Sequence, residues 1–318
     1  MYDVIIIGGG PAGLTAGIYA ARASMKTLLV RSAFNPSLIT TTDIIENYPG
    51  FPDGIGGFEL VELFTRQALR FGLEITDDDT TAVSRHDEGG HACWQVQGSS
   101  GAHMALSVIV ATGTEYAHLG VPGEAEFTGR GVSYCATCDG PFYRGGRVVV
   151  VGGGDTAVQE ALYLTNFAAS VTIVHRRDRL RATAVLQERA KANEKISFAW
   201  NSVVEEITGT DAVQSVTLQD VRNPAAKRTL EADGVFIFTG TIPNTGMLKG
   251  VATLDGSGYV EVDSHMKTSA PGIFACGDCT RKLLRQVVTA CGDGATAAFA
   301  AYEYVSELKG TSYGGYTP

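Results

Sequence analysis

One pattern restricts this chain more than any other: an apolar strand, a glycine-rich turn, a helix and a second apolar strand, present twice. The first copy runs from Asp3 to Ile7 into Gly8-Gly9-Gly10-Pro11-Ala12-Gly13, then through an Ala-rich helical stretch to the strand Thr27 to Val30. The second runs from Arg147 to Val151 into Gly152-Gly153-Gly154-Asp155-Thr156-Ala157, then through Val158 to Phe167 to the strand Val171 to Val174. Each strand is almost continuously apolar, which suits a parallel sheet covered on both faces rather than a sheet with one wet side. The glycines meet three separate demands. The first makes the tight turn, the second lets backbone approach a pyrophosphate, and the third (Ala157 in the second copy) allows the helix to pack closely on the strand. The helix that follows presents unpaired N–H groups and the positive end of its dipole to the phosphates. One such match is weak, since glycine turns also occur in ordinary α/β folds. Two copies in the same strand–helix–strand context point to two dinucleotide sites.

Two further strands, Val108 to Ala111 and Val235 to Phe238, each stop at Thr-Gly, at Thr112-Gly113 and Thr239-Gly240. They read as strands returning to a hinge, and place cuts near 115 and 245. The expected architecture is α/β, with two Rossmann-like dinucleotide-binding domains, the second (116–245) inserted into the first (1–115 and 246–318). The 318 residues are enough for two cores, and 44% hydrophobic with 19% charged residues fits a globular α/β protein. A net charge of −9 makes nucleic acid an unfavourable partner. No secretory leader is expected ahead of the first strand, and no run approaches the roughly 20 apolar residues of a membrane span. Six cysteines are too few for a disulfide scaffold. The expected compartment is a reducing cytoplasm, in which a Cys-x-x-Cys is redox-active or metal-binding more often than structural.

Such a pair, Cys135-Ala136-Thr137-Cys138-Asp139-Gly140, lies just before the second glycine motif. Two cysteines at this spacing can close a small disulfide and reopen it by thiolate exchange, and a neighbouring carboxyl can carry the proton that exchange requires. The alternative, half of a zinc site, needs a second ligand pair. The one other candidate, Cys276 with Cys279, falls at the end of another apolar strand. No metal is expected. Cys93 and Cys291 are expected as small core residues.

With these landmarks in place the whole chain resembles the low-molecular-weight thioredoxin reductases, of the pyridine nucleotide-disulfide oxidoreductase family. The resemblance is carried by Gly8, Gly10 and Gly13; Glu46-Asn47-Tyr48-Pro49-Gly50; Cys135 to Asp139; Gly152 to Ala157; His175-Arg176-Arg177-Asp178 with Arg181 and Ala182; and Gly277-Asp278 with Arg285-Gln286. It implies FAD in the outer domain, bound by Gly8, Gly10, Pro11, Ala12, Gly13, Asn47, Thr112, Gly113, Gly277, Asp278, Arg285 and Gln286. It implies NADPH in the middle domain, bound by Gly152, Gly154, Asp155, Thr156, Ala157, His175, Arg176, Arg177 and Arg181. Hydride would pass from NADPH to FAD and electrons then to the Cys135–Cys138 disulfide. Cys138 would face the flavin, Cys135 would attack oxidised thioredoxin or a similar small redoxin, and Asp139 would donate the proton. A domain rotation at the two Thr-Gly strand ends would separate the half-reactions, and the enzyme would be a homodimer. Arg130, Phe142 and Tyr143 match positions near the thioredoxin surface, although Pro141 stands where an aromatic is usual. The preference for NADPH has its own physical basis: arginines at the end of the second strand meet a 2′-phosphate, whereas an acidic residue there would bind a 2′-hydroxyl.

The chain departs from the pattern at the adenosine side of the first site. Arg31 stands where an acidic ribose ligand is expected, and Asn35-Pro36-Ser37-Leu38-Ile39 replaces a Gly-Gly-Gln segment. The expectation is a looser adenosine end, tightened roughly ten- to a hundredfold by Arg31→Glu. Alternative readings are a dithiol oxidase, a ferredoxin-fed reductase, or a non-catalytic redox-sensing flavoprotein. The first two usually lack the arginine motif retained here, and the intact dithiol with Asp139 speaks against the third.

Overall fold

The computed structural model describes residues 1–33, 37–42, 44–45, 47–88 and 91–311. Asn35, Pro36, Glu46 and the tail from Ser312 lie outside the described residues, as does the side chain of Cys138.

In chain order, β1 (Tyr2–Ile7) leads through the glycine turn into α1 (Pro11–Arg22), followed by β2 (Thr27–Arg31), α2 (Gly57–Arg70) and β3 (Glu74–Asp77). A three-stranded meander follows: β4 (Thr80–Glu88), β5 (His91–Gly98) and β6 (Ala102–Val110). The turn can form because Gly8 takes φ +117, where a Cβ would also lie 2.2 Å from the Ala111 carbonyl oxygen. Pro11 opens α1 at a position that needs no intrahelical N–H. A short connector, β7 (Thr114–Tyr116), leads to the middle of the chain.

There the plan repeats: β8 (Val132–Ser133), α3 (Ala136–Asp139), β9 (Arg147–Gly152), α4 (Asp155–Leu164), β10 (Ser170–Val174), α5 (Ala184–Ala192) and β11 (Ile196–Ala199). A second meander, β12 (Ser202–Gly209), β13 (Val213–Asp220) and β14 (Lys227–Glu231), precedes β15 (Gly234–Phe238) and the return connector β16 (Thr241–Pro243). The last elements among the described residues are β17 (Ile273–Ala275) and α6 (Val287–Leu308).

The first parallel sheet has the order β3-β2-β1-β6-β17, with β5 and β4 added antiparallel on the N-terminal half of β6. The second has the order β11-β10-β9-β15-β8, all parallel. In both, strand order reverses beside the glycine strand, between β1 and β6 and between β9 and β15. That is where an open α/β sheet leaves a crevice at its carboxyl ends.

The apolar strands are continuous because each face has its own cover. Val4 and Ile6 pack with Leu14, Leu60, Phe274 and Ala297 under the helices, while Ile5 and Ile7 pack with Val83, Trp94, Val96 and Val260 on the other side. In β9, Val148 and Val150 meet α4 through Val158, Ala161 and Leu164, whereas Val149 and Val151 meet the meander through Val204, Ile207 and Val216. Burying each such side chain contributes about 1.5–3 kcal/mol, so the pattern itself fixes which strands lie inside.

The chain divides into two compact units, 1–115 with 242–318, and 116–241. The return crossing therefore falls four residues earlier than the cut expected at 245/246. Asn244 and Thr245 already belong to the outer unit, because Thr112 Oγ1 donates to the Asn244 carbonyl at 2.6 Å and Thr245 Oγ1 to that of Gly258 at 2.6 Å. The two connectors β7 and β16 pair with each other. Among the described residues no helix is long and apolar enough to cross a membrane.

Candidate functional site

In the outer unit the glycine turn and the Gly277-Asp278 segment come together although they are far apart in sequence. β17 ends beside β1's neighbour β6, and a Cβ on Gly277 would lie 2.8 Å from that of Ala12, so Asp278 arrives at the start of α1 alongside Pro11 and Gly13. Gly10 caps that helix in extended conformation. Burial pushes the Asp278 carboxyl above its ordinary range, and the nearby Asp293 adds to the rise while Lys282 and Arg285 offset it. Its Oδ1 is buried without a hydrogen-bond partner among the described residues. A buried carboxyl oxygen in this state can accept a hydrogen bond from a ligand donor such as a hydroxyl. Gln286 caps α6 through a reciprocal pair with Thr289 and accepts from Asn47 Nδ2 at 2.9 Å, so these two candidate residues meet. Arg285 instead lies over the Tyr259 ring at 4.1 Å and donates to the carbonyls of Asp278 and Thr280. Thr112 and Gly113 are held to Asn244.

Arg31 is where the structure adds what sequence reading missed. Arg31 and Asp77 are register partners at the carboxyl ends of β2 and β3, and Arg31 Nε donates to Asp77 Oδ1 at 2.7 Å. A carboxylate does stand at this edge, one strand further out than expected, and it is already engaged by Arg31.

In the middle unit Ala157 takes the third glycine's place, buried beneath the turn at Gly152. The loop after β10 folds back on that turn: Arg181 N and Ala182 N both donate to the Gly153 carbonyl, at 2.7 and 3.1 Å. Asp155, at the head of α4, accepts from Thr183 N at 2.6 Å, and Thr156 beside it is exposed. Gly154 caps α4 in extended conformation. The His175 ring lies against Gly153, and burial together with the charges of Arg181, Arg177 and Arg176 holds its pKa below the usual imidazole value. His175 is therefore neutral near pH 7, with Nε2 buried and unpartnered among the described residues. Arg176 and Arg177 are exposed and rim an open cavity of about 560 Å³ that also includes Asn201 and Arg222. The last two come from the meander and had no motif to mark them. A cavity lined by four guanidinium groups suits an anion such as a phosphate.

Cys135 is disulfide-bonded and stands immediately before α3. Its N–H donates to Ser133 Oγ at 3.1 Å, and its sulfur lies 3.3 Å from Thr137 Oγ1. The preceding Tyr134 is anchored by donating to Glu124 Oε1 at 2.7 Å. Burial by itself would raise the Glu124 pKa. Hydrogen bonds from Tyr134, Leu119 N and Gly120 N, with the charge of His118, outweigh it and hold the carboxylate low. Asp139 closes α3 and its charge, after burial, raises the pKa of Tyr143. Tyr143 packs edge-on against Phe236 at 5.2 Å, whereas Phe142 is 82% exposed. Arg130 lies over Phe127 at 5.7 Å. Cys276 and Cys279 are free and fully buried at the end of β17, and burial pushes both thiols up, which fits strand packing rather than thiolate chemistry. Cys93 is likewise buried, but Cys291 departs from the expected core position: half-buried, it lies near Tyr48 Oη and the Pro11 carbonyl, both at 3.9 Å.

The pyridine nucleotide-disulphide oxidoreductase family matches residues 2–294. Thioredoxin reductase of Treponema pallidum (strain Nichols) is 46% identical over 308 residues, spanning 97% of this chain and 98% of that protein. Thioredoxin reductase of Bacillus subtilis (strain 168) is 46% identical over 312 residues, spanning 98% and 97%. The crystal structure of Lactococcus lactis thioredoxin reductase matches with a TM-score of 0.87 at 43% identity, covering 97% of this chain and 100% of that one. Two glycine-turn folds, a dithiol segment and relatives that span nearly the whole chain agree, and the chain belongs to the thioredoxin reductases of the pyridine nucleotide-disulphide oxidoreductase family.

Proposed function

We infer that the chain is a thioredoxin-disulfide reductase in which the outer unit holds FAD, the middle unit holds NADPH, and Cys135 with Cys138 forms the redox-active disulfide. The observation that carries this reading is Cys135, disulfide-bonded at the head of α3 in the unit whose glycine turn and arginine-rimmed cavity fit a phosphorylated nucleotide. FAD would be held by Gly8, Gly10 to Gly13, Asn47, Thr112, Gly113, Gly277, Asp278, Arg285 and Gln286. NADPH would be held by Gly152, Gly154 to Ala157, His175, Arg176, Arg177 and Arg181. When bound, the two cofactors supply the hydride chemistry that reduces the disulfide. The rest is thiol exchange. The Cys135 thiolate attacks the partner's disulfide, forming a mixed disulfide and expelling one partner thiolate, which takes a proton delivered by Asp139. Cys138 then attacks Cys135, releasing the second partner thiol and re-forming the Cys135–Cys138 bond, so two electrons and two protons leave with the product. The exposed Phe142 ring gives a redoxin an apolar anchor near the dithiol. The arginine cluster sets this reading above an oxygen-linked or ferredoxin-fed one. The same reading implies a cytoplasmic homodimer. In an anaerobic cuvette NADPH is expected to bleach the flavin and oxidised thioredoxin to restore its colour. A flavin bleached by NADPH that thioredoxin leaves unchanged would remove thioredoxin as the substrate.

The Arg31–Asp77 pair changes what is expected of FAD binding. Glutamate at position 31 would lose the ion pair and face Asp77 directly across β2 and β3, an unfavourable like-charge pair. Arg31→Glu by itself is now expected to leave FAD affinity unchanged or weaker. Arg31→Glu with Asp77→Asn, which leaves a single carboxylate at that edge, is expected to tighten it about tenfold. Titrating FAD into the flavin-free proteins measures both. Tighter binding by the single variant would show that Asp77 has no influence on this edge.

A further inference from the structure

We propose that Arg222 is a fourth cation of the 2′-phosphate subsite, held at the cavity by Asp178 until the phosphate takes Asp178's place. The inference rests on the reading that the middle unit binds NADPH and extends it to a residue outside the arginine motif.

The cavity is lined by Arg176, Arg177, Arg179 and Arg222, with Asp178 and Asn201. Four guanidinium groups against one carboxylate is a strong local excess of positive charge in a chain of net charge −9. Among the described residues only Arg222 of the four is ion-paired, through NH2 to Asp178 Oδ2 at 3.0 Å. Clustered like charges repel even with salt screening, and a phosphate monoester, carrying between one and two negative charges, is the group that relieves them.

The placement of Arg222 is built into the backbone. Asn201 adopts φ +51, in the left-handed region that asparagine tolerates. In that conformation its N–H donates to the Arg177 carbonyl at 3.2 Å and its carbonyl accepts from Val221 N at 2.8 Å. Two hydrogen bonds thus tie the arginine loop after β10, the start of β12 and the hairpin between β13 and β14. The hairpin tip is set by Asp220 Oδ1, which accepts from Arg222 N at 2.7 Å and Asn223 N at 3.3 Å. Arg222 therefore reaches the cavity on a fixed turn.

Because the turn at Asp220 already fixes where Arg222 starts, the dominant effect of Asp178 on an arriving phosphate is repulsion of the anion. Arg222 and Asp178 should therefore respond with opposite signs, which a merely structural ion pair would not do. The probes are NADP+ and NAD+, titrated calorimetrically into the flavin-loaded protein. Arg222→Ala is expected to weaken NADP+ by about three- to tenfold, with NAD+ moving less than about twofold, and to flatten the salt dependence of NADP+ binding. Arg222→Lys should recover part of the loss. Asp178→Asn is expected to tighten NADP+ by about threefold. An unchanged NADP+ affinity in Arg222→Ala, or equal losses for both nucleotides, would overturn the proposal. The paired variant Arg176→Ala with Arg177→Ala separates the two levels. If that variant loses NADP+ selectivity and Arg222→Ala does not, only the role of Arg222 fails. If the native protein binds both nucleotides alike, the NADPH reading fails and this subsite with it.

Discussion

Cys135→Ser is expected to abolish NADPH-driven reduction of thioredoxin, by at least about a thousandfold, while NADPH still bleaches the flavin at its native rate. Serine keeps the size of the side chain and the hydrogen bond from the residue-135 N–H to Ser133 Oγ, so α3 should stay in place. It loses the chemistry, because an alkoxide is not populated near neutral pH and an oxygen cannot close the mixed disulfide. Stopped-flow absorbance at the flavin band separates the two half-reactions. Cys138→Ser is expected to stop turnover equally and to shift the flavin spectrum as well, since the proposed reading puts its sulfur on the flavin side. Thioredoxin reduction within about tenfold of native in both variants would remove the dithiol from the mechanism.

The second large effect concerns the nucleotide. On the proposed reading Arg176 and Arg177 each make a charge-assisted hydrogen bond to a 2′-phosphate worth about 1.5–3 kcal/mol; in Arg176→Ala with Arg177→Ala the loss of even one should raise the KM for NADPH at least about tenfold while that for NADH barely moves. Both residues are exposed at the cavity rim, so the loss should not come through unfolding. The structure adds an independent readout. The His175 pKa is held down by burial first and then by Arg181, Arg177 and Arg176, so removing two of these cations should let it rise. An NMR titration of the ring would record that shift without any nucleotide. Equal losses for NADPH and NADH would reduce the two arginines to a supporting role, and a native preference for NADH would overturn the assignment.

What the sequence determined alone is what short-range backbone chemistry dictates. Gly8 needs its positive φ within one turn, Pro11 can open a helix from its own ring geometry, and the apolar run Val4 to Ile7 must be covered on both faces wherever it lies. The dithiol and arginine strings were legible for the same reason: their chemistry lies in residues a few positions apart. Only the tertiary structure decided which distant side chains meet. Parallel register sets Arg31 beside Asp77, Asn47 finds Gln286 across the outer unit, and a hairpin tip delivers Arg222 to Asp178. No local periodicity encodes these pairs, because each depends on which strands become neighbours and in what register. That choice is made by burial of whole faces rather than by any residue near the pair. The displaced outer boundary has the same origin. Thr239-Gly240 marks where a strand stops, but where the unit begins again depends on Asn244 and Thr245 hydrogen-bonding to Thr112, Gly113 and Gly258, more than a hundred residues away in the first two cases.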